Sequence, residues 1–260
     1  MSRRAKGAVA LVALPLLAGA VLARAEVVQK GELRVTITGK LAPRLLPRTG
    51  AAPIAVFVGG RISTTDDSDP PQLKGLQIEF NRHGRLDDRG LPVCRPRQIQ
   101  PASSSRALAA CRGSLVGEGS FRANIVLSGQ APYPTRGRLL VFNGRRNGRP
   151  VLLGHIYSAK PFASSFIITF AVHHLAHGTF GTALTASLPR ALGSWGYVTA
   201  ISLKLSRRYT YRGTRRSYVS AGCPAPKGFP GGVFPLARAS FSFAGGSRLT
   251  STLTRSCSVR

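Results

Sequence analysis

Over much of this chain every second residue is apolar, and that spacing decides what it can fold into. Leu33, Val35, Ile37 and Leu41 alternate with Arg34, Thr36, Thr38 and Lys40; Leu76, Ile78 and Phe80 alternate with Gln77 and Glu79; Phe121, Ala123, Ile125 and Leu127 repeat the pattern. Further on, Ile201, Leu203, Leu205, Tyr209 and Tyr211 oppose Lys204, Ser206, Arg208, Thr210 and Arg212. Near the end Ala239, Phe241 and Phe243 oppose Arg238, Ser240 and Ser242, with a turn at Gly245-Gly246 and a return along Leu249, Ser251, Leu253 and Cys257. A period of two sends successive side chains to opposite faces, so each stretch is a strand with one buried face.

Residues 54–58 are apolar on both faces, and 166–172 and 179–188 read as two more strands, the latter with Phe180, Leu184 and Leu188 on one face. Residues 138–142 and 151–157 flank Asn143-Gly144 and Asn147-Gly148, dipeptides that tolerate the positive φ of a tight hairpin turn. Only residues 103–110 suit a helix, with serines to cap its free amides, alanines to propagate it and Gly113 to end it. The expected fold is therefore all-β, antiparallel and sandwich-like, with one short helix near 103–110. Two β-rich halves, 26–130 and 131–260, are expected to meet at the Gly/Pro-rich residues 129–137.

Residues 1–25 carry the three-part export pattern: Arg3, Arg4 and Lys6, an apolar run over 8–22, and Ala23-Arg24-Ala25 as a small-x-small cleavage site. Cleavage is expected before Glu26. The run is shorter than the roughly 20 residues that cross a bilayer, and in the lipobox-like Leu17-Ala18-Gly19-Ala20 an alanine stands where a lipid-bearing cysteine would. The mature chain is thus expected to be secreted or envelope-associated rather than integral to a membrane. Four cysteines in an exported chain imply two disulfides, for which three connectivities exist. Cys94 with Cys111 and Cys223 with Cys257 is the simplest, because each pair stays within its half. A zinc site would need free thiolates at close CxxC-type spacing, which the sequence lacks.

Charge is distributed very unevenly. The formal net charge is +28, and loss of Arg3, Arg4, Lys6 and Arg24 on export leaves 33 basic residues against 9 acids. All nine acids lie at or before Glu118, and only seven of the basic residues are lysine. Two accounts of the arginine excess stand side by side: anion recognition by the bidentate guanidinium, or a GC-rich genome whose codons favour Arg, Ala, Gly and Pro. The densest segment, Arg207-Arg208-Tyr209-Thr210-Tyr211-Arg212-Gly213-Thr214-Arg215-Arg216-Ser217-Tyr218, interleaves guanidinium groups with rings that stack on bases or sugars. Alternation turns Tyr209 and Tyr211 toward the core side and leaves arginines outside. Arg207, Arg208, Arg212, Arg215 and Arg216, with Arg145, Arg146 and Arg149 of the central hairpin, form the expected anion-contacting surface. An exported chain does not meet the genome, so the expected partner is an anionic cell-wall polymer or acidic glycan, not a specific nucleic acid.

Catalytic readings find little support. His173 and His177 share a face and are the best metal candidates, but zinc needs a third ligand and His155 is the nearest. Asp66, Asp67 and Asp69 lack the loop glycine and distal glutamate of an EF-hand. No G-x-S-x-G elbow or phosphate-cradling glycine loop precedes a helix. The expectation is a binding or structural protein without a cofactor. One alternative is a carrier of an apolar ligand, with a cavity lined by Phe166, Phe170 and Phe180; another is a hydrolase in which an acid reaches His155, His173 or His177.

The chain resembles a set of uncharacterised secreted proteins from GC-rich actinobacteria. The likeness rests on Gly178-Thr179-Phe180-Gly181-Thr182, Trp195-Gly196-Tyr197-Val198-Thr199, Cys223-Pro224-Ala225-Pro226 and Arg255-Ser256-Cys257. It implies an extracytoplasmic location and carries no activity.

Overall fold

The computed structural model describes residues 25–188 and 196–260; the segment before Ala25, where the export signal is expected, and Trp195 lie outside them. Strands run β1 (Glu26–Lys30), β2 (Leu33–Ala42), β3 (Leu45–Leu46), β4 (Ala52–Pro53), β5 (Ala55–Thr64), β6 (Leu73–Asn81) and β7 (Gly84–Leu86). After helices α1 (Pro96–Ile99) and α2 (Ser104–Cys111) come β8 (Leu115–Ile125), β9 (Tyr133–Arg146), β10 (Arg149–Ser158), β11 (Ser164–His174) and β12 (Phe180–Ser187). Then follow β13 (Gly196–Leu205), β14 (Arg208–Tyr211), β15 (Thr214–Ser217), β16 (Val219–Ala221), β17 (Gly231–Phe243) and β18 (Arg248–Val259).

Thirteen of these strands form one sheet in the order β1-β2-β5-β13-β8-β9-β10-β11-β12-β6-β17-β18-β3, all antiparallel except the β18–β3 edge. The fold is all-β with a short helix, as the alternation implies. The two halves of the sequence interleave within the sheet: β13 lies between β5 and β8, and β6 between β12 and β17. Residues 129–137 fall at the connection of a hairpin whose ladder runs from Ile125↔Tyr133 to Leu115↔Phe142.

The sheet curls until its two ends face each other. Val35, Ile37 and Ile62 of β2 and β5 pack against Phe241, Phe243 and Leu249 of β17 and β18, while Leu41, Val56, Phe121, Val141, Ile156, Leu184 and Leu253 share the larger core. Among the described residues no strand ladder joins β18 to β1 or β2; side chains close the seam. Leu253 of β18 lies over Gly39 of β2, where a Cβ would stand 2.4 Å from its Cδ2. Beside it the Arg255 Nε donates to Gly39 O at 2.6 Å, and Nη1 meets Glu26 Oε1 of β1 at 3.2 Å.

Both expected disulfides are present. Cys94–Cys111 fastens α2 over the outside of β9 and β10, where Ile99, Ala107, Leu140, Phe142, Val151 and Leu153 form a separate core. Cys223–Cys257 ties the segment after β16 to β18. Helix α2 starts as expected, with Ser103 Oγ accepting from Arg106 N.

Three local expectations are corrected. Only Asn147-Gly148 turns, with φ of +51° and +74°. Asn143 is buried within β9, its Nδ2 donating to Pro92 O at 3.1 Å and its carbonyl accepting from Cys94 N. Phe180 does not share the face of Leu184, because the β12–β6 register shifts between Phe180 and Thr182; its ring instead meets the Arg238 guanidinium at 4.7 Å. Finally, β13 stops at Leu205 and the tyrosines belong to a separate hairpin.

His155 is sealed beneath the helical cap with no exposed surface. One ring nitrogen, Nε2, lies 3.0 Å from Ala102 O, and Nδ1 has no partner among the described residues. Burial holds its pKa below the ordinary imidazole value, outweighing the carbonyls of Ala102 and Ile99, which favour the cation. Above pH about 6.5 both folded and unfolded chains carry a neutral ring; below it the unfolded chain binds a proton more readily than the folded one. Stability is therefore expected to fall from pH 7 toward 5 by up to about 1.4 kcal/mol per pH unit. Chemical unfolding of His155→Gln over that range should show a shallower decline; identical slopes would contradict the assignment.

Candidate anion-binding surface

The arginine-rich segment folds as the hairpin β14–β15, pairing Arg208↔Ser217, Tyr209↔Arg216, Thr210↔Arg215 and Tyr211↔Thr214. Its turn is Arg212-Gly213, with φ of +50° and +73°. The tyrosines face the body of the protein: Tyr209 Oη donates to Asp87 O at 3.0 Å. The Tyr211 ring lies against Gly90, where a Cβ would come within 2.2 Å of it. Because Arg216 is the cross-strand partner of Tyr209, it shares that inward side. Its Nη1 reaches Asp87 Oδ2 at 2.8 Å, and its guanidinium and that of Arg212 stand 5.7 and 5.3 Å from the Tyr211 ring centre.

The second cluster meets the same loop. Arg145 reaches Asp88 Oδ2 at 3.0 Å and Gly148 O at 3.1 Å, while Arg146 and Arg149 are exposed cross-strand partners. Asp87 and Asp88 thus draw in both arginine groups, one carboxylate each. The paired hydrogen bonds from Arg89, and more weakly Arg216, hold the Asp87 carboxyl below its ordinary value against partial burial. This acidic bridge was invisible in sequence, where residues 87–89 look like an exposed turn.

Beyond the bridge the charges are uncompensated. Five acids, Glu26, Glu79, Asp87, Asp88 and Glu118, take six arginines: Arg255, Arg238, Arg89, Arg216, Arg145 and Arg138. Among the described residues Arg146, Arg149, Arg207, Arg208, Arg212 and Arg215 make no ion pair. Arg207 and Arg208 line an open cleft of about 480 Å³ with Lys204, over a floor of Leu115, Val116 and Gly117. Its one acid, Glu118, is engaged by Arg138 at 2.9 Å. Arg207 Nε is buried without a hydrogen-bond partner among the described residues. A buried donor left unpaired is costly.

His173 Nε2 lies 2.9 Å from Thr185 Oγ1, and both His173 and His177 are exposed. Among the described residues no three His, Cys, Asp or Glu side chains are grouped to hold a metal. Phe166 lines an apolar pocket of about 40 Å³ with Phe121 and Ile156, Phe170 packs on the core, and Phe180 lies beside Arg238. A second interior gap, between Ile37, Ile201, Phe241 and Leu253, measures about 100 Å³. Ligand pockets usually measure about 300 Å³ or more.

No protein-family model, curated protein or solved structure matches the chain.

Proposed function

We propose that this is an exported binding protein of anionic cell-envelope polymers, acting by association and without catalysis. The observation that carries the reading is the cleft lined by Lys204, Arg207 and Arg208, three cations of which none makes an ion pair among the described residues. Two disulfides fit an oxidising, extracytoplasmic setting, and no helix of the described residues is long and apolar enough to cross a membrane. Arg146, Arg149, Arg212 and Arg215 extend the positive surface around the hairpin. They act through long-range attraction that concentrates a polyanion near the cleft.

Retention of the purified mature protein on isolated cell wall tests this over a salt series. Binding at about 50 mM salt should weaken steeply by 200 mM, because counterions released into a more concentrated solution gain less entropy. Arg207→Gln with Arg208→Gln should reduce low-salt retention about tenfold, on the scale of one to two lost charge-assisted contacts. Retention indifferent both to salt and to this pair would overturn the proposal.

A further inference from the structure

The outer face of β5, β13 and β8 carries a charge pattern that the hairpin does not account for. Ladder register fixes it: Lys204 sits beside Phe57 and Glu118, Ser202 beside Gly59 and Ser120, Ala200 beside Arg61 and Arg122. Lys204 and the Arg61–Arg122 row are four residues apart along β13, or roughly 14 Å at strand rise. Between them the floor is low and polar, formed by Gly59 and by Ser120 and Ser202, whose hydroxyls bond at 2.8 Å.

Each end of this floor opens into a cleft. One is that of Lys204, Arg207 and Arg208; the other, of about 300 Å³, is lined by Arg61, Arg122 and Thr199. Asp67 and Asp69 also line the second cleft, and Asp69 accepts from Tyr197 Oη at 2.5 Å. At the Lys204 end, Lys40 joins from β2. The two ammonium groups flank the Phe57 ring at 4.8 and 5.4 Å from its centre, hence within about 10 Å of each other, and neither makes an ion pair among the described residues. In a chain with only seven lysines this pairing is not the mark of an arginine-rich codon bias. Like charges at this range repel each other weakly in water, and an anion between them offsets that repulsion.

We infer that a linear polyanion lies along β13 from the hairpin cleft to the Arg61–Arg122 cleft, meeting Lys40 and Lys204 on the way. The inference rests on the polyanion reading above and extends it from a single cleft to a track. Cationic stations roughly 14 Å apart recognise a repeating chain and not a single anion, because only a chain engages several at once. Phosphate-bearing and carboxylate-bearing chains share this chemistry, so both are used as probes.

The test is titration of the mature protein with labelled long-chain polyphosphate, polygalacturonate and tripolyphosphate at low salt. Long chains should bind at least 100-fold more tightly than tripolyphosphate, which is too short to reach two stations. Lys40→Gln with Lys204→Gln, and separately Arg61→Gln with Arg122→Gln, should each weaken long-chain binding about tenfold and lower the log–log salt slope by about 1.4, two contacts at about 0.7 each for a single strand. Lys40→Arg with Lys204→Arg should restore it, and unchanged melting curves would show that these exposed changes leave the fold intact. Preference for polyphosphate or for polygalacturonate assigns the natural charge. Because Lys204 also lines the hairpin cleft, the Arg61–Arg122 pair decides between the two: loss of binding with Arg207→Gln and Arg208→Gln but not with Arg61→Gln and Arg122→Gln overturns the track and leaves the cleft standing. Absence of wild-type binding to either long chain overturns both.

Discussion

Replacing Cys223 and Cys257 together by alanine is expected to lower the unfolding free energy by about 4 kcal/mol. The bond closes a loop of 34 residues, for which loop entropy alone gives about 3.8 kcal/mol. The corresponding value for the 17-residue separation of Cys94–Cys111 is about 3.1 kcal/mol. Position widens the difference. Cys223 and Cys257 are both buried in the main core, and the peptide around Cys223 is fastened to Pro47 O. Losing the bond frees β18 from the loop that follows β16. Cys94–Cys111 secures only the helical cap on the outside of β9 and β10. Denaturant unfolding of both double variants should rank them in this order, with the larger loss well above the 1 kcal/mol of an ordinary substitution. A loss below that for the Cys223–Cys257 pair would mean that strand pairing alone holds β18.

Arg255→Met is expected to cost about 2–3 kcal/mol, short of the range for breaking a fully buried ion pair because Glu26 is part exposed. The Arg255 side chain is 11% exposed, and its guanidinium bridges Gly39 O and the Glu26 carboxylate. A methionine fills much of the volume but leaves a carboxylate and a carbonyl facing apolar surface at the seam. Lysine offers a single point charge and does not reproduce the two-directional fork. Glu26→Gln should cost much less, since the bond to Gly39 survives. Hydrogen exchange should localise the Arg255→Met loss to β1 and β2, where seam contacts are made. Uniform exchange across the sheet, or a loss under about 0.5 kcal/mol, would show that Leu253 packing on Gly39 closes the curl unaided.

Strand positions were legible because alternation is a local signal. The burial of Val35, Ile37, Phe241 and Leu249 follows directly from it, and the serine cap of α2 from the chemistry of free amides. Strand neighbours were not legible, since a period of two says which face is buried and nothing about which strand lies alongside; hence the interleaving of β13 with β5 and β8. The bulge that turns Phe180 outward is a register shift without a composition signature. Within the candidate site the arginines stood out by number. Their division did not: Arg145 and Arg216 are engaged by Asp88 and Asp87, and Lys40 meets Lys204 over Phe57 only because β2, β5 and β13 are adjacent. A cross-strand pair between residues more than a hundred positions apart leaves no mark on either local sequence.

The Arg255–Glu26 contact spans 229 positions, and this has a consequence for how the protein is born. A chain emerging from its N-terminus must extend through Arg255 before β1 meets the strand it faces across the seam. Until β18 exists, β17 presents a bare edge and β1 an unguarded flank, both able to recruit foreign strands. Folding that depends on such distant contacts is slow and all but impossible to complete vectorially. Since β13 must also be in place before β5 and β8 can share a sheet, the seam between β1 and β18 is expected to close late in folding.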